Sequence, residues 1–277
     1  LYRHATLCPT GDLLAILRAP FTVQNETDPD LAQTLGYCVP EILMALDTRP
    51  DVTSEEIAAL EIGYIGLLEY STRRPPIHIH TVLSKQPDLF VSLVTTLFRP
   101  ETKDMESSDI EAATGQLHHP RHAFQILHSW SGYPGQGLPP AERDNVLRMW
   151  CNRVLELTAQ ADRKTVGEQH VGEVLVRVPP PETDGIWPCL VAREYLRDGR
   201  SEIGEGLHVG RFNSRGTHLR TLGDQREERD QAKKFENDAD RIRAEWPETA
   251  SLLDSMARDY RQWADQLDRH DARYTDP

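Results

Sequence analysis

The sequence predicts an all-α protein of stacked helical hairpins that ends in a long antiparallel αα-hairpin. Three observations carry that expectation. Apolar residues recur three and four apart along most of the chain, whereas the alternation of a half-buried strand is nearly absent. Prolines and glycines fall between these runs as breakers. The last fifty residues carry two narrow apolar stripes on densely charged backgrounds. At 277 residues the chain is long enough for one large domain or two small ones, and its core needs no covalent staples.

The elements follow in order. Thr10 precedes Leu13, Leu14, Ile16 and Leu17, a short helix that ends before Pro20, and Phe21 to Pro29 reads as a polar linker. Pro40 is placed in the first turn of a helix carrying Ile42, Leu43 and Leu46, because its missing N–H would be unpaired there anyway. Thr53-Ser54-Glu55-Glu56 matches a capping box and starts a helix with Ile57, Leu60, Tyr64, Leu67 and Leu68 on one face, broken at Arg73-Arg74-Pro75-Pro76. Helices over 77–86 and 88–98 are split by Pro87 and closed by Pro100. Glu101 to Thr114, charged and poor in apolar residues, is expected to be a mobile loop. A helix over 120–130 carries Phe124, Leu127 and Trp130.

Breaker composition from Gly132 to Pro140 divides the chain into a helical subdomain over 1–132, a Gly/Pro-rich linker over 133–140, and a helical subdomain over 141–277. Stacked pairs in the first half are compatible with a HEAT-like arrangement, although no fixed repeat aligns. Pro140 begins a long helix through Leu147, Trp150, Val154 and Leu157. Another spans Val166 to Val178, stopped by Pro179-Pro180-Pro181. A third starts at Trp187-Pro188 and ends near Asp198-Gly199. The glycine-containing stretch 199–223 is expected to be the least regular of this half. The terminal hairpin over 224–272 takes Ala232, Phe235, Ala239, Ile242 and Trp246 from one helix, and Leu253, Met256, Tyr260, Trp263 and Leu267 from the next.

Charge narrows the function. Lys+Arg 31 against Asp+Glu 44 leaves a formal charge of -13, which disfavours nucleic acid and anionic membranes as partners, because phosphate affinity rests on neutralising cations. No apolar run reaches the length of a membrane span, and no signal-peptide pattern occurs. Cys8, Cys38, Cys151 and Cys189 stand apart with no CxxC, the usage of reduced core thiols in a cytoplasmic protein.

Motifs for chemistry are sparse. His118, His119, His122 and His128 lie within eleven residues, and His78-Ile79-His80 adds two more imidazoles. Zinc needs three or four ligands in tetrahedral array. Pro120 makes His119 a cap, and no HExxH occurs, so no metal or other cofactor is assigned. His119, His122 and His128 remain the ligands of an alternative, a metal-dependent hydrolase or transferase acting on nucleotides or nucleic acid. Neither GxSxG nor GxxxxGK[ST] is present, and Gly204-Glu205-Gly206 lacks the preceding strand of a dinucleotide site. No catalytic residue is assigned. Leu207 to Leu222 contains no acid but carries Arg211, Arg215, Arg220, His208 and His218, with Phe212 to Gly216 read as a turn. Arginine forks bind carboxylate bidentately, so Arg211, Arg215, Arg220 and His218 form the candidate anion- or partner-binding group. Pairing with the chain's own acids near Asp224 to Asp230 is the competing reading.

The order of several segments resembles the C-terminal helical region of large, mostly uncharacterised bacterial multidomain proteins. The likeness rests on VPEILMALDTRPDVTSEEIAALEIGYIGLLE from Val39, LSKQPDLFVSLVTTLFRP from Leu83, and Ala123 to Trp130. It continues through VGEQHVGEVLVRVPPPETDGIWP from Val166, VGRFNSRGT from Val209, and Trp246 to Leu267. The histidine cluster from His118 to His128 stands outside the shared pattern. The resemblance implies a helical module and transfers no activity. With the opening at Leu1 rather than Met, it leads to the expectation that these residues continue a longer polypeptide. The function expected is a non-enzymatic interaction or scaffold module that binds a protein partner or regulates an upstream domain of the same chain. Self-association through the terminal hairpin is a further expectation.

Overall fold

A computed structural model describes residues 2–19, 29–69, 71–102, 120–214 and 226–275, and among these every regular element is helical. No helix among them is long and apolar enough to cross a membrane. Cα packing divides the chain into two units, Leu1–Pro134 with Asn152–Arg163, and Gly135–Cys151 with Lys164–Pro277. The polar linker over 21–28, most of the expected loop after Glu101, and the segment 215–225 lie outside the described residues.

The first unit contains a 3-10 turn (Tyr2–Leu7), α1 (Thr10–Arg18), α2 (Pro29–Asp47), α3 (Ser54–Gly63), α4 (Ile65–Leu68), α5 (Ile77–Lys85), α6 (Pro87–Leu97) and α7 (Pro120–Ser129), with the last turns of α8 (Pro140–Gln160). Its core gathers Leu13, Leu17, Val39, Leu43, Leu46, Ile57, Leu60, Tyr64 and Leu68. Pro40 lies inside α2 rather than in a first turn. The buried or half-buried positions Leu35, Val39, Ile42, Leu43 and Leu46 run through it at helical spacing, and their packing outweighs the lost backbone hydrogen bond. The capping box forms as expected: Thr53 Oγ1 accepts the Glu56 N–H at 3.2 Å, and the Glu56 carboxylate accepts the Thr53 N–H at 3.1 Å. The helix it starts is interrupted. Tyr64 leaves the helical region (φ -115°, ψ 15°), and its hydroxyl donates to the Leu17 carbonyl at 3.0 Å, which ties this break to α1.

Charge joins α2, α3 and α5. Glu61, fully buried on α3, accepts the backbone N–H groups of Ile77, His78 and Ile79 at 3.1, 3.2 and 2.7 Å, capping the start of α5. Arg74, 2% exposed, meets Glu61 at 2.6 Å and grips Asp47 with two N–H groups at 2.9 and 2.8 Å. Burial pushes the Asp47 carboxyl up, but Arg74 and His78 outweigh it and hold the group below its ordinary range.

The second unit contains the first turns of α8, α9 (Lys164–Leu175), α10 (Leu190–Arg197), α11 (Ser201–Asn213), α12 (Arg226–Ile242) and α13 (Pro247–Thr275). The stretch expected to be irregular is therefore a 13-residue helix as far as Asn213. Its glycines are contact positions. A Cβ on Gly206 would overlap the Gln169 carbonyl of α9, and one on Gly172 would overlap the Ile203 carbonyl of α11. Small residues let two backbones approach, so glycine here marks tight helix packing rather than a loop. Near the start of α10, Arg193 (1% exposed) binds Asp184 through two N–H groups and fastens the proline-rich connection.

The terminal pair is antiparallel: Arg229 pairs with Asp268, Glu236 with Arg261, and Arg243 with Asp254. Ala232, Phe235, Ala239, Ile242 and Trp246 are all buried, as the stripe predicts. On α13 the expected Leu253, Met256 and Tyr260 are buried, and the seam departs from the stripe at Trp263. Ala250, Leu253, Ala257, Tyr260 and Ala264 are buried at 1% exposure or less, while Trp263 is 39% exposed. Alternating spacings of three and four along these five residues place alanine at every second seam position, where little bulk separates the helices.

Candidate functional site

The acid-free segment begins on the last two turns of α11, which lie against α13. His208 and Phe212, four apart and hence on one face, stack at 5.3 Å between ring centroids. Phe212 in turn stacks on Tyr260 at 4.9 Å and tilts against Trp263 at 6.4 Å. Tyr260 touches Phe235, which meets Trp187 edge-on at 6.4 Å. A continuous aromatic row results, with Trp263 and Val209 (41% exposed) at its open margin. His208 Nε2 lies 3.0 Å from Asp259 Oδ2, fixing the ring at the end of the row.

Arg211, half-buried on the same turn, places its guanidinium 5.5 Å from the centre of the Trp187 ring. Such a contact contributes about 0.5 to 1 kcal/mol at an exposed site, and a stacked guanidinium keeps its in-plane N–H donors for a carboxylate. Arg215, His218 and Arg220 lie outside the described residues. The expected turn from Phe212 is corrected. Phe212 and Asn213 are helical, and Ser214 closes the helix with its N–H on the Gly210 carbonyl at 3.0 Å. The aromatic partners are not legible in the sequence, because the glycines of 199–223 read as irregular structure and Phe212 as the start of a turn. A helical reading through Gly206 and Gly210 would have put His208 and Phe212 on one face.

The histidines among the described residues do not converge on a metal site. His119 lies outside the described residues; His122 is half-buried on α7, and His128 is exposed there, stacked on Phe124 at 5.4 Å. No group of three His, Cys, Asp or Glu placed to hold a metal occurs among the described residues. His78 and His80 point to different partners, as expected for a helix: His78 to Ser54 and Asp47, His80 to the Ser129 hydroxyl at 3.2 Å. Cys151 and Cys189 are buried, and burial pushes both thiols up, Cys189 to about 12. Thiols held protonated in this way are poor nucleophiles.

No family model, curated protein or solved structure matches this chain.

Proposed function

We propose that the chain is a helical interaction module, part of a larger bacterial protein, which binds a protein partner or regulates an upstream domain through the α11–α13 surface. The aromatic row with Arg211 stacked on Trp187 carries this reading. It combines an apolar shelf, open at Trp263 and Val209, with a cation at the head of a segment that contains no acid from Leu207 to Leu222. Aromatic and arginine side chains are the residue types that concentrate binding energy in interfaces. An acidic group on the partner would meet Arg211, with Arg215, Arg220 and His218 adding donors, while its apolar neighbours cover Trp263. The chain's formal charge of -13 works against acidic partners away from such a cation-bearing site.

A photo-reactive amino acid at Val209, introduced into the protein in its native cells, tests the surface. It should cross-link one partner, and Arg211→Glu combined with Arg215→Glu and Arg220→Glu should reduce that product at least tenfold. Undiminished cross-linking by the folded triple variant would overturn the assignment of the arginines.

A further inference from the structure

Asp47, Ser54 and His78 show no motif in sequence, yet they meet in the first unit. Asp47 ends α2, Ser54 begins α3, and His78 is the second residue of α5. His78 Nδ1 lies 2.7 Å from Ser54 Oγ, and its Nε2 lies 3.0 Å from Asp47 Oδ1. A carboxylate at Nε2 holds the imidazole proton there, which leaves the Nδ1 lone pair to accept the Ser54 hydroxyl proton. Nucleophile, base and orienting carboxylate therefore stand in sequence through opposite ring nitrogens. The two nitrogens are exchanged relative to the serine-protease order, but the proton transfer needs only that they be opposite.

The parts are held by more than this chain of bonds. Arg74 grips Asp47 with two N–H groups, and the His78 backbone N–H is bound to buried Glu61, so acid and base are fixed by the same network. Ser54 sits in the first turn of α3, where the Thr53–Glu56 capping box fixes the backbone and the Ser54 hydroxyl meets the α5 imidazole. The site is open to solvent, with the Asp47 side chain 25% and the His78 side chain 20% exposed. Ile77, 47% exposed, precedes His78 and offers an apolar neighbour, while Glu55 and Glu56 follow Ser54 and disfavour anions.

We propose that Ser54 is a nucleophile activated by His78 and acts on small uncharged esters, with Asp47 as a positioning residue. Ser54 Oγ bonds to the acyl carbon as its proton moves to His78 Nδ1. The ester C–O bond then breaks, and the departing alcohol takes that proton. Water, deprotonated by the same nitrogen, attacks the acyl-serine, releases the carboxylic acid and restores Ser54. This activity is separate from the α11–α13 surface, and its failure would leave that reading untouched.

The test uses the full chain with a fluorophosphonate probe, followed by intact mass and peptide mapping, and with p-nitrophenyl acetate for turnover. The folded protein should gain one adduct, at Ser54, that the urea-unfolded chain does not. Ser54→Ala should abolish it, and His78→Gln should slow it at least a hundredfold with the fold retained by circular dichroism. Asp47→Asn should slow labelling about tenfold and displace its pH–rate profile, whereas a purely structural loss would scale the rate alike at every pH. No adduct at Ser54 in the folded wild type, or labelling indifferent to His78→Gln, would overturn the proposal. The trio would then be only a tie among three helices.

Discussion

Two helix contacts, one in each unit, are built by different means. α3 and α5 meet through charge, with Glu61 beneath the first turn of α5 and Arg74 between Glu61 and Asp47. α9 and α11 approach closely where side chains are absent, at Gly172 and Gly206, with Arg200–Glu168 and Gln169–Glu202 tying their ends. A buried ionic join depends on every partner being present and charged. A glycine join depends on nothing being added. The two contacts should therefore fail differently, α3–α5 when a group is removed or neutralised and α9–α11 when an atom is inserted.

The largest effect is expected at Glu61. Glu61→Leu leaves three N–H groups at the start of α5 without their acceptor and Arg74 with Asp47 as its one carboxylate, a loss of about 3 to 5 kcal/mol, read as a lower urea midpoint. Gly206→Ala comes next. Its new methyl meets the Gln169 carbonyl, a backbone group that cannot swing aside, and should cost about 1 to 3 kcal/mol. Gly36→Ala sharpens the contrast, because nothing lies within 4 Å of its Cβ position on α2. With no contact to oppose the better helix former, thermal unfolding should show it stabilised by about 1 kcal/mol.

Acid gives the smallest and most graded effect. A carboxyl whose folded-state pKa lies below its unfolded value stabilises fully above the unfolded value, about pH 4 for aspartate, and loses that contribution as pH falls through the folded one. Asp47 behaves so, and in the second unit so does Asp184, where Arg193 and the Ile186 N–H outweigh the upward push of burial. Urea midpoints should fall below about pH 4 for the wild type. Asp47→Asn should be less stable at neutral pH and show a shallower acid decline, and parallel declines in the two proteins would remove Asp47 from the lock.

The hairpin shows how far a pattern reaches. On α12 the large residues and the seam coincide, and Phe235, Ile242 and Trp246 are buried where the stripe places them. On α13 they coincide at Leu253, Met256 and Tyr260 and part at Trp263, which lies at the margin beside Phe212 while Ala250, Ala257 and Ala264 take alternate seam positions. Size in sequence does not report which side of a helix faces its neighbour. The candidate surface was legible in part for the same reason: the run of cations without acids marked Arg211, but its aromatic support comes from Trp187, Tyr260 and Trp263, far along the chain.

By itself the sequence determined that this chain is helical, where most helices begin and end, and that its last two pair through a narrow stripe. Those properties rest on local physics: the 3.6-residue period, the Thr53–Glu56 cap, and prolines such as Pro87 at helix starts. Only the tertiary structure decided that Gly206 is a contact, that Glu61 caps a helix sixteen residues away, and that Ser54, His78 and Asp47 share a chain of hydrogen bonds. Each of these depends on which helix faces are brought together. Backbone approach and buried charge are properties of pairs of elements, and no spacing along one element encodes them.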